Sequence, residues 1–135
     1  MILTDAGPLV AIVDRGERDH GRCRKALRSL TGPMLTTWPA FTEAMYLLGG
    51  SAGWTGQEPL WRLVRREDLQ IAEADQKMIT RMSDLMARYR DLPMDLADAS
   101  LVTLAEARGI TRIFTLDEHF RIYRAAKGKV FTLIP

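Results

Sequence analysis

The chain has 135 residues, of which 47% are apolar and 27% charged. This length and composition predict one compact domain over residues 1–135 with a sizeable core, and they exclude a multi-domain chain. Nineteen Lys and Arg residues against 17 Asp and Glu give a net charge of +2, too small to identify an anionic partner. With one cysteine, Cys23, no internal disulfide is possible, and without a signal peptide or a membrane-length apolar run we expect a reduced, cytoplasmic chain with no membrane partner.

Short apolar runs predict buried strands, and most of them are separated by stretches of helical periodicity. The predicted strands are 2–4, 34–37, 69–72, 113–116 and 130–134. The predicted helices are 18–30, 39–48, 58–66, 75–90 and 95–108, and the fourth has the clearest apolar stripe. Strands that alternate with helices predict an α/β fold, a parallel sheet with helices on both faces, whose strand order the sequence does not specify.

Two aspartates follow predicted strands directly. Asp5 comes after ILT and Asp117 after IFTL. Ligands of parallel sheets bind beyond the carboxyl ends of the strands, so both carboxylates are expected at the edge where such sites form.

Two more aspartates stand three residues apart at the start of the predicted helix 95–108. Asp98 shares one helix face with Leu101 and Val102, so it heads the stripe that faces the core. Asp95 is well explained as a helix cap, although a role in a site stays open. The helix dipole also stabilises an acid in the first turn, but neither helix capping nor the dipole requires Asp98 to point along the buried face. We therefore interpret Asp98 as functional.

The segment PAFTEAMYLLGG predicts a helix that is apolar on nearly all sides and should be buried, yet it contains Glu43. A buried carboxylate needs a partner. Two interpretations stay open: Glu43 is the solvent-facing residue of this helix, or it belongs to a site.

Four acids are thus candidates for one site: Asp5, Glu43, Asp98 and Asp117. If they converge, like charges about 4 Å apart repel by roughly 4 kcal/mol at an effective dielectric of about 20, so a cation must hold them together. No Lys or Arg is directly beside them, and oxygen ligands favour Mg²⁺ or Mn²⁺. His20 and His119 have no cysteine partner and predict no zinc site. Mg²⁺ on carboxylates activates water and neutralises phosphoryl charge, so phosphodiester hydrolysis is the expected chemistry.

Four motifs stand in order along the chain: TDAGPLVAIVD, TEAMYLL, DLPMDLADASLV and IFTLDEHFRIYR. Together they resemble the PIN-domain ribonucleases, and among these the VapC-like toxins of prokaryotic toxin–antitoxin pairs. The resemblance runs from end to end and implies a five-stranded parallel sheet, RNA cleavage that depends on Mg²⁺ or Mn²⁺, and neutralisation by a cognate antitoxin. It also implies that the metal-binding acids are Asp5, Glu43, Asp98 and Asp117.

The chain departs from this family pattern at two positions. His119 stands where relatives often have an acid before the phenylalanine, so a fifth carboxylate is missing. Asp95 is an acid that many relatives lack, and it is either an outer-sphere ligand or only the helix cap. Thr115 is a further candidate to support metal-bound water, although a buried strand threonine explains it equally well.

Fifteen of the 19 basic residues are arginine, whose planar guanidinium suits phosphate. Candidates to steer an RNA backbone are Arg62, Arg65, Arg66, Arg121 and Arg124, although solvated surface residues explain each of them as well. The region of Trp38, Met45, Trp54 and Trp61 has more large apolar side chains than one small domain needs, which predicts a homodimer. Core packing or an antitoxin groove are the other interpretations of the tryptophans.

Two other functions compete with the nuclease. A metal-dependent phosphatase or phosphotransfer domain on the same sheet edge would use an aspartate as nucleophile, but Asp5 is followed by AGP and lacks a second acid two residues on. A non-catalytic binding module of the same fold would have no need of all four acids.

Overall fold

The computed structural model describes all residues 1–135. Its strands are β1 Ile2–Thr4, β2 Met34–Thr37, β3 Leu69–Ala72, β4 Arg112–Phe114 and β5 Thr132–Ile134. Its α-helices are α1 Ala6–Val13, α2 His20–Ser29, α3 Trp38–Arg65, α4 Gln76–Arg88 and α5 Leu96–Arg108. Two 3₁₀ turns, Glu118–Arg121 and Ala126–Gly128, connect β4 to β5. The predicted strands and helices are therefore confirmed, with ends shifted by a few residues.

The five strands form one parallel sheet in the order β3-β2-β1-β4-β5. Successive side chains of a strand point to opposite faces. Leu3 packs into one core cluster and Ile2 into the other, and Ile113 and Phe114 divide in the same way. The prediction of a parallel sheet covered on both faces is confirmed.

Helices cover both faces of this sheet. α1, α2 and α3 contribute to the core on one face, and Cys23 of α2 is buried in this core. α4 and α5 contribute to the core on the other face. No helix combines the length and apolarity that crossing a membrane requires.

Helix α1 was not among the predicted helices. Its residues are buried on nearly every side, among them Leu9, Val10, Ala11 and Ile12. A helix without a polar face has no amphipathic period, and for this reason the sequence pattern does not reveal it.

Helix α3 is a helical hairpin, because its backbone leaves helical geometry at Gly53 (φ 55°, ψ −143°). The second arm runs back along the first: the rings of Phe41 and Trp61 lie 5.0 Å apart, and the Gln57 side chain donates a hydrogen bond to the carbonyl of Met45 at 3.2 Å. The two helices predicted at 39–48 and 58–66 are its two arms.

The prediction that the first arm of α3 is buried on nearly all sides is wrong. Tyr46 and Leu47 are exposed, and Glu43 lies on the same outward side of the arm. The arm's other face packs through Phe41, Ala44 and Leu48. Because apolar residues also stand on the exposed face, the hydrophobic pattern does not distinguish the buried side of the arm from its exposed side.

Candidate active site

A cleft of about 410 Å³ opens at the carboxyl edge of the sheet. All four predicted site residues line it, together with the helix-cap candidate: Asp5, Glu43, Asp98, Asp117 and Asp95. The remaining lining residues are small or apolar, and none is a Lys, Arg or His. The fold therefore brings together five acids from remote positions in the sequence without a basic side chain among them.

Asp5 is buried where β1 ends and α1 begins. One of its carboxylate oxygens accepts a hydrogen bond from the backbone N–H of Ala6 at 2.7 Å, and the other accepts one from the hydroxyl of Thr115 at 2.8 Å. The Thr115 hydroxyl in turn accepts from the backbone N–H of Asp117 at 3.0 Å. Thr115 thus links Asp5, which follows β1, to the loop that follows β4.

Asp98 is also buried, in the first turn of α5. Its Oδ2 accepts a hydrogen bond from the hydroxyl of Tyr123 at 2.9 Å. The ring of Tyr123 is fully buried and packs edge-on against Tyr89 and Phe120. Sequence reasoning missed Tyr123, because an aromatic residue three after Phe120 indicates only core packing.

Asp95 is the N-cap of α5. Its Oδ1 accepts a hydrogen bond from the backbone N–H of Asp98 at 2.8 Å. Asp95 also lines the cleft, so the same side chain caps the helix and contributes to the cleft wall.

Glu43 and Asp117 form the more accessible part of the cleft. Glu43 is exposed on α3, and Asp117 is half-buried at the start of the 3₁₀ turn Glu118–Arg121. Asp117 Oδ1 accepts a hydrogen bond from the backbone N–H of His119 at 2.9 Å, and the imidazole Nδ1 of His119 lies 3.4 Å from the same oxygen. His119 therefore contacts Asp117 and supplies no carboxylate of its own.

The acids of the cleft lie close together without a basic side chain to balance their charge, and this environment opposes their ionisation. Burial raises the pKa of Asp5 from 3.8 to about 6, opposed by its hydrogen bond from Thr115. Burial, followed by repulsion from Asp95 and Asp5, raises the pKa of Asp98 from 3.8 to about 8. The pKa of Glu43 is also raised, by partial desolvation of its carboxyl group in the cleft and then by Asp95 and Asp5. These three carboxyl groups thus resist ionisation, chiefly because burial desolvates them and then because neighbouring acids repel their charge.

As they stand, the side chains of the cleft do not form a closed set of three or more metal ligands. Their chemistry still suits one kind of ion. Zinc favours His and Cys, whereas the donors here are all carboxylate oxygens. Mg²⁺ keeps several of its waters and uses only one or two direct carboxylates, so it fits acids that are spread around a cleft.

The arginines predicted to steer RNA lie outside the cleft, and several are already engaged. Arg62 and Arg65 both pair with Glu58, at 2.6 and 2.7 Å, and Arg66 lies 3.3 Å from Asp68. Arg121 pairs with Glu118, and Arg124 donates to three consecutive backbone carbonyls, those of residues 121, 122 and 123. All five of these arginines are nevertheless exposed, so a phosphate would have to compete with the partners they already have.

The sequence model described as "PIN domain" matches residues 2–126 of the chain. The chain is 26% identical over 135 residues to a protein named Ribonuclease VapC26 from Mycobacterium tuberculosis, an alignment that covers 99% of this chain and 100% of the relative.

Solved structures share the fold at low sequence identity. Mycobacterium tuberculosis VapC20, described as a Sarcin-Ricin loop cleaving toxin, superposes with a TM-score of 0.80 at 14% identity, over 87% of this chain and 90% of that one. A toxin–antitoxin complex from Klebsiella pneumoniae gives 0.65 at 17% identity over 87% of each chain. VapBC2 from Rickettsia felis, bound to a DNA fragment from its promoter, gives 0.70 at 12% identity over 100% of each chain.

Proposed function

The chain belongs to the PIN domain family, and from this premise we propose that it is an endoribonuclease dependent on Mg²⁺ or Mn²⁺ and the toxin of a toxin–antitoxin pair. The observation that carries the proposal is the cleft at the carboxyl edge of the sheet, which five acids line without a basic side chain. The name of its relative Ribonuclease VapC26 supports RNA as the substrate. The single cysteine, free and buried, supports action in a reducing cytoplasm.

In this proposal Asp5, Asp98 and Asp117 hold the metal ion directly or through water. The ion, when bound, activates water and neutralises charge on the scissile phosphate. Asp5 is fixed for this role by a hydrogen bond to each of its carboxylate oxygens and Asp98 by one to its Oδ2, so both carboxylates line the cleft in defined positions.

Glu43 has a different role in the proposal. It lies on the accessible side of the cleft, and its raised pKa makes it a better proton acceptor than an ordinary glutamate. We assign it to orient the attacking water and take its proton. Asp95 and Thr115 have supporting roles in the proposal. Asp95 fixes the first turn of α5, and Thr115 links Asp5 to the loop of Asp117.

A cleavage assay on mixed RNAs tests the proposal. Wild type is expected to cut RNA with Mg²⁺ or Mn²⁺ and to stop in excess chelator, and Asp98→Asn and Asp117→Asn to lose cleavage. Asp84→Asn, at an exposed acid on α4 that does not line the cleft, is the matched control and keeps full activity. Undiminished cleavage in chelator rules out the metal mechanism, and a wild type that binds Mn²⁺ but cuts no RNA indicates a binding module.

The proposed antitoxin is a small protein that inserts a basic side chain into the acidic cleft, because a charge-assisted hydrogen bond to these carboxylates removes their repulsion. Expression of the chain alone is expected to be toxic or low in yield, and co-expression with the partner to rescue it. Neutralising the partner's Arg and Lys residues must weaken the complex. Unchanged affinity after that neutralisation refutes this mode of inhibition.

A further inference from the structure

A second hollow adjoins the cleft. It measures about 640 Å³, within the range of about 300–1,000 Å³ of small-molecule sites, and lies between the first arm of α3 and the first turn of α5. Glu43 and Asp95 line both the hollow and the cleft, so the two spaces are continuous. A ligand that extends from the cleft past Glu43 and Asp95 therefore enters the hollow.

The outer walls of the hollow are exposed apolar side chains. Trp38 is 50% exposed, Tyr46 79% and Leu96 50%. Phe41 meets Trp38 edge-on, with ring centroids 5.8 Å apart, and Thr42 donates a hydrogen bond to the Trp38 carbonyl at 2.7 Å. The indole therefore stands on an anchored helix start and needs little ordering when a ligand arrives.

The chemistry of the lining selects the ligand. No Lys, Arg or His lines the hollow, so it offers nothing to a phosphate group. Aromatic rings offer stacking surface to a flat, uncharged ring, and every nucleobase has such a face. The carboxylates of Glu43 and Asp95 at its inner rim accept hydrogen bonds, which matches the exocyclic amino groups of bases.

From these observations we propose that the hollow binds one unstacked nucleobase of the RNA, next to the phosphate that the cleft cleaves, with Trp38 as the stacking platform. The inference rests on the proposed nuclease function. It makes the substrate a single strand or loop at this position, because a base held in a duplex presents no free face to Trp38. The nucleotide next to the cut is thereby selected by its ability to unstack.

Binding of short RNA tests this inference. The Asp98→Asn background with Mn²⁺ prevents cutting, and the probes are a single-stranded RNA of about eight nucleotides and an abasic ribose–phosphate oligomer of the same length and charge. In this background Trp38→Ala is expected to weaken binding of the intact RNA by about 5- to 150-fold and to leave binding of the abasic oligomer unchanged. Trp38→Phe keeps most of the affinity, since it keeps an aromatic face.

Trp54→Ala is the matched control. It removes another exposed indole, 63% accessible, that lines neither the cleft nor the hollow, and it is expected to leave the RNA affinity unchanged. A variant with Trp38 as its sole tryptophan, made by Trp54→Phe and Trp61→Phe, provides a spectroscopic readout. Its fluorescence is expected to be quenched by the intact RNA and unaffected by the abasic oligomer.

Equal weakening of both oligomers by Trp38→Ala, or no weakening, overturns the nucleobase site. A change in mass by light scattering with unchanged RNA affinity also overturns it and assigns the hollow to a protein contact. Cleavage of the same RNA by wild type is followed in parallel. If wild type cleaves RNA but Trp38→Ala does not selectively weaken binding of the intact oligomer, only the nucleobase site fails. If wild type neither binds nor cleaves RNA, the proposed function fails, and the nucleobase site fails with it.

Discussion

The buried phenol of Tyr123 is the partner on which the conformation of Asp98 depends. It donates to Asp98 Oδ2 at 2.9 Å, and burial together with the charge of Asp98 raises the pKa of Tyr123, so the phenol stays a neutral donor. A hydrogen bond to a charged group contributes about 1.5–3 kcal/mol to stability. It also prevents the carboxylate from rotating away from the cleft.

Tyr123→Phe is therefore expected to weaken Mn²⁺ binding by about 10- to 100-fold, the usual effect of removing a group that orients a metal ligand. Isothermal titration calorimetry with Mn²⁺ measures this directly. Tyr89→Phe is the control: Tyr89 packs against the Tyr123 ring at 5.1 Å, while Asp98 keeps its bond from Tyr123. Equal Mn²⁺ affinity in both variants contradicts a positioning role for Tyr123.

The raised pKa values of Asp5 and Asp98 predict how stability depends on pH in chelator. Both folded-state pKa values, about 6 and about 8, exceed the ordinary value of 3.8, so the folded chain binds more protons than the unfolded chain between about pH 4 and 8. The free energy of unfolding should fall as pH rises through this window, by about 3 kcal/mol for the Asp5 shift alone.

Urea titrations at several pH values in chelator measure this slope. Asp98→Asn removes one of the two groups, so the variant should lose less stability between pH 6 and pH 8 than wild type and should be the more stable protein at pH 8. A wild type whose stability rises across the same window contradicts the uncompensated charge of the cleft.

The acids that line the cleft were recognisable one by one in the sequence, whereas their hydrogen-bond partners were not. Asp5 and Asp117 follow apolar runs that end as strands, and Asp98 stands on a buried helix face, which local patterns reveal. The Asp98–Tyr123 contact spans 25 positions and the Asp5–Thr115 contact spans 110. Such pairs are fixed by how the strands and helices pack, and no local spacing encodes them.

Among the elements, the hairpin of α3 depends most on one residue. Gly53 has a positive φ that residues with a Cβ rarely adopt, and the second arm then returns so closely that a Cβ at Gly56 would lie 2.7 Å from the Leu48 carbonyl oxygen. The sequence predicted both arms from their periodicity. It did not predict that they pack against each other, because glycine marks many kinds of turn.

Gly53→Ala is expected to destabilise the protein by about 1–3 kcal/mol, the usual cost of a strained backbone conformation. Gly50→Ala is expected to stabilise it by about 0.5–1 kcal/mol, since Gly50 is exposed, helical and has nothing within 4 Å of an added Cβ. Urea denaturation of the two variants measures both values. If both substitutions changed the free energy of unfolding in the same direction, the result would contradict a turn that depends on the positive φ of Gly53.

At the start of α5, the cap at Asp95 predicts a difference between two substitutions. Asp95→Ala should lower the free energy of unfolding by about 1 kcal/mol, because the Asp98 N–H loses its acceptor. Asp95→Asn keeps the cap, and it should also keep the magnesium response, about 1.4 kcal/mol of stabilisation when Mg²⁺ is at ten times its dissociation constant. Thermal melts with and without Mg²⁺ measure both. Loss of that response in Asp95→Asn makes Asp95 a ligand.

For the whole molecule, the strand order decides where chemistry is possible. β1 and β4 are neighbours although their residues are more than a hundred positions apart, and this pairing brings Asp5 beside the loop of Asp117. Short apolar runs predicted the five strands, and their alternation with helices predicted the parallel sheet. Neither composition nor periodicity specifies which strands become neighbours, since that depends on how each crossover helix packs.

The proposed homodimer is a second property of the whole molecule. The tryptophans on which this prediction depends have different environments in the structure. Trp61 packs on Phe41 within the hairpin, whereas Trp54 is exposed next to the turn at Gly53. Trp54→Arg is expected to raise the dimer dissociation constant by about 30-fold or more, as at other interface hot spots. Light scattering across a concentration series measures this, with Trp54→Phe as the conservative control. A wild type that stays monomeric at high concentration excludes the dimer.

The hydrogen bonds around the cleft turn four backbone amides into separate reporters of its occupancy. The amides of Ala6, Asp98, Asp117 and His119 donate to Asp5, Asp95, Thr115 and Asp117 respectively. A cation that draws electron density from these oxygens must change the chemical shifts of the amide protons bonded to them. A nitrogen–proton correlation spectrum recorded during a Mg²⁺ titration would therefore show, residue by residue, which side chains the ion reaches, without any RNA or antitoxin in the tube.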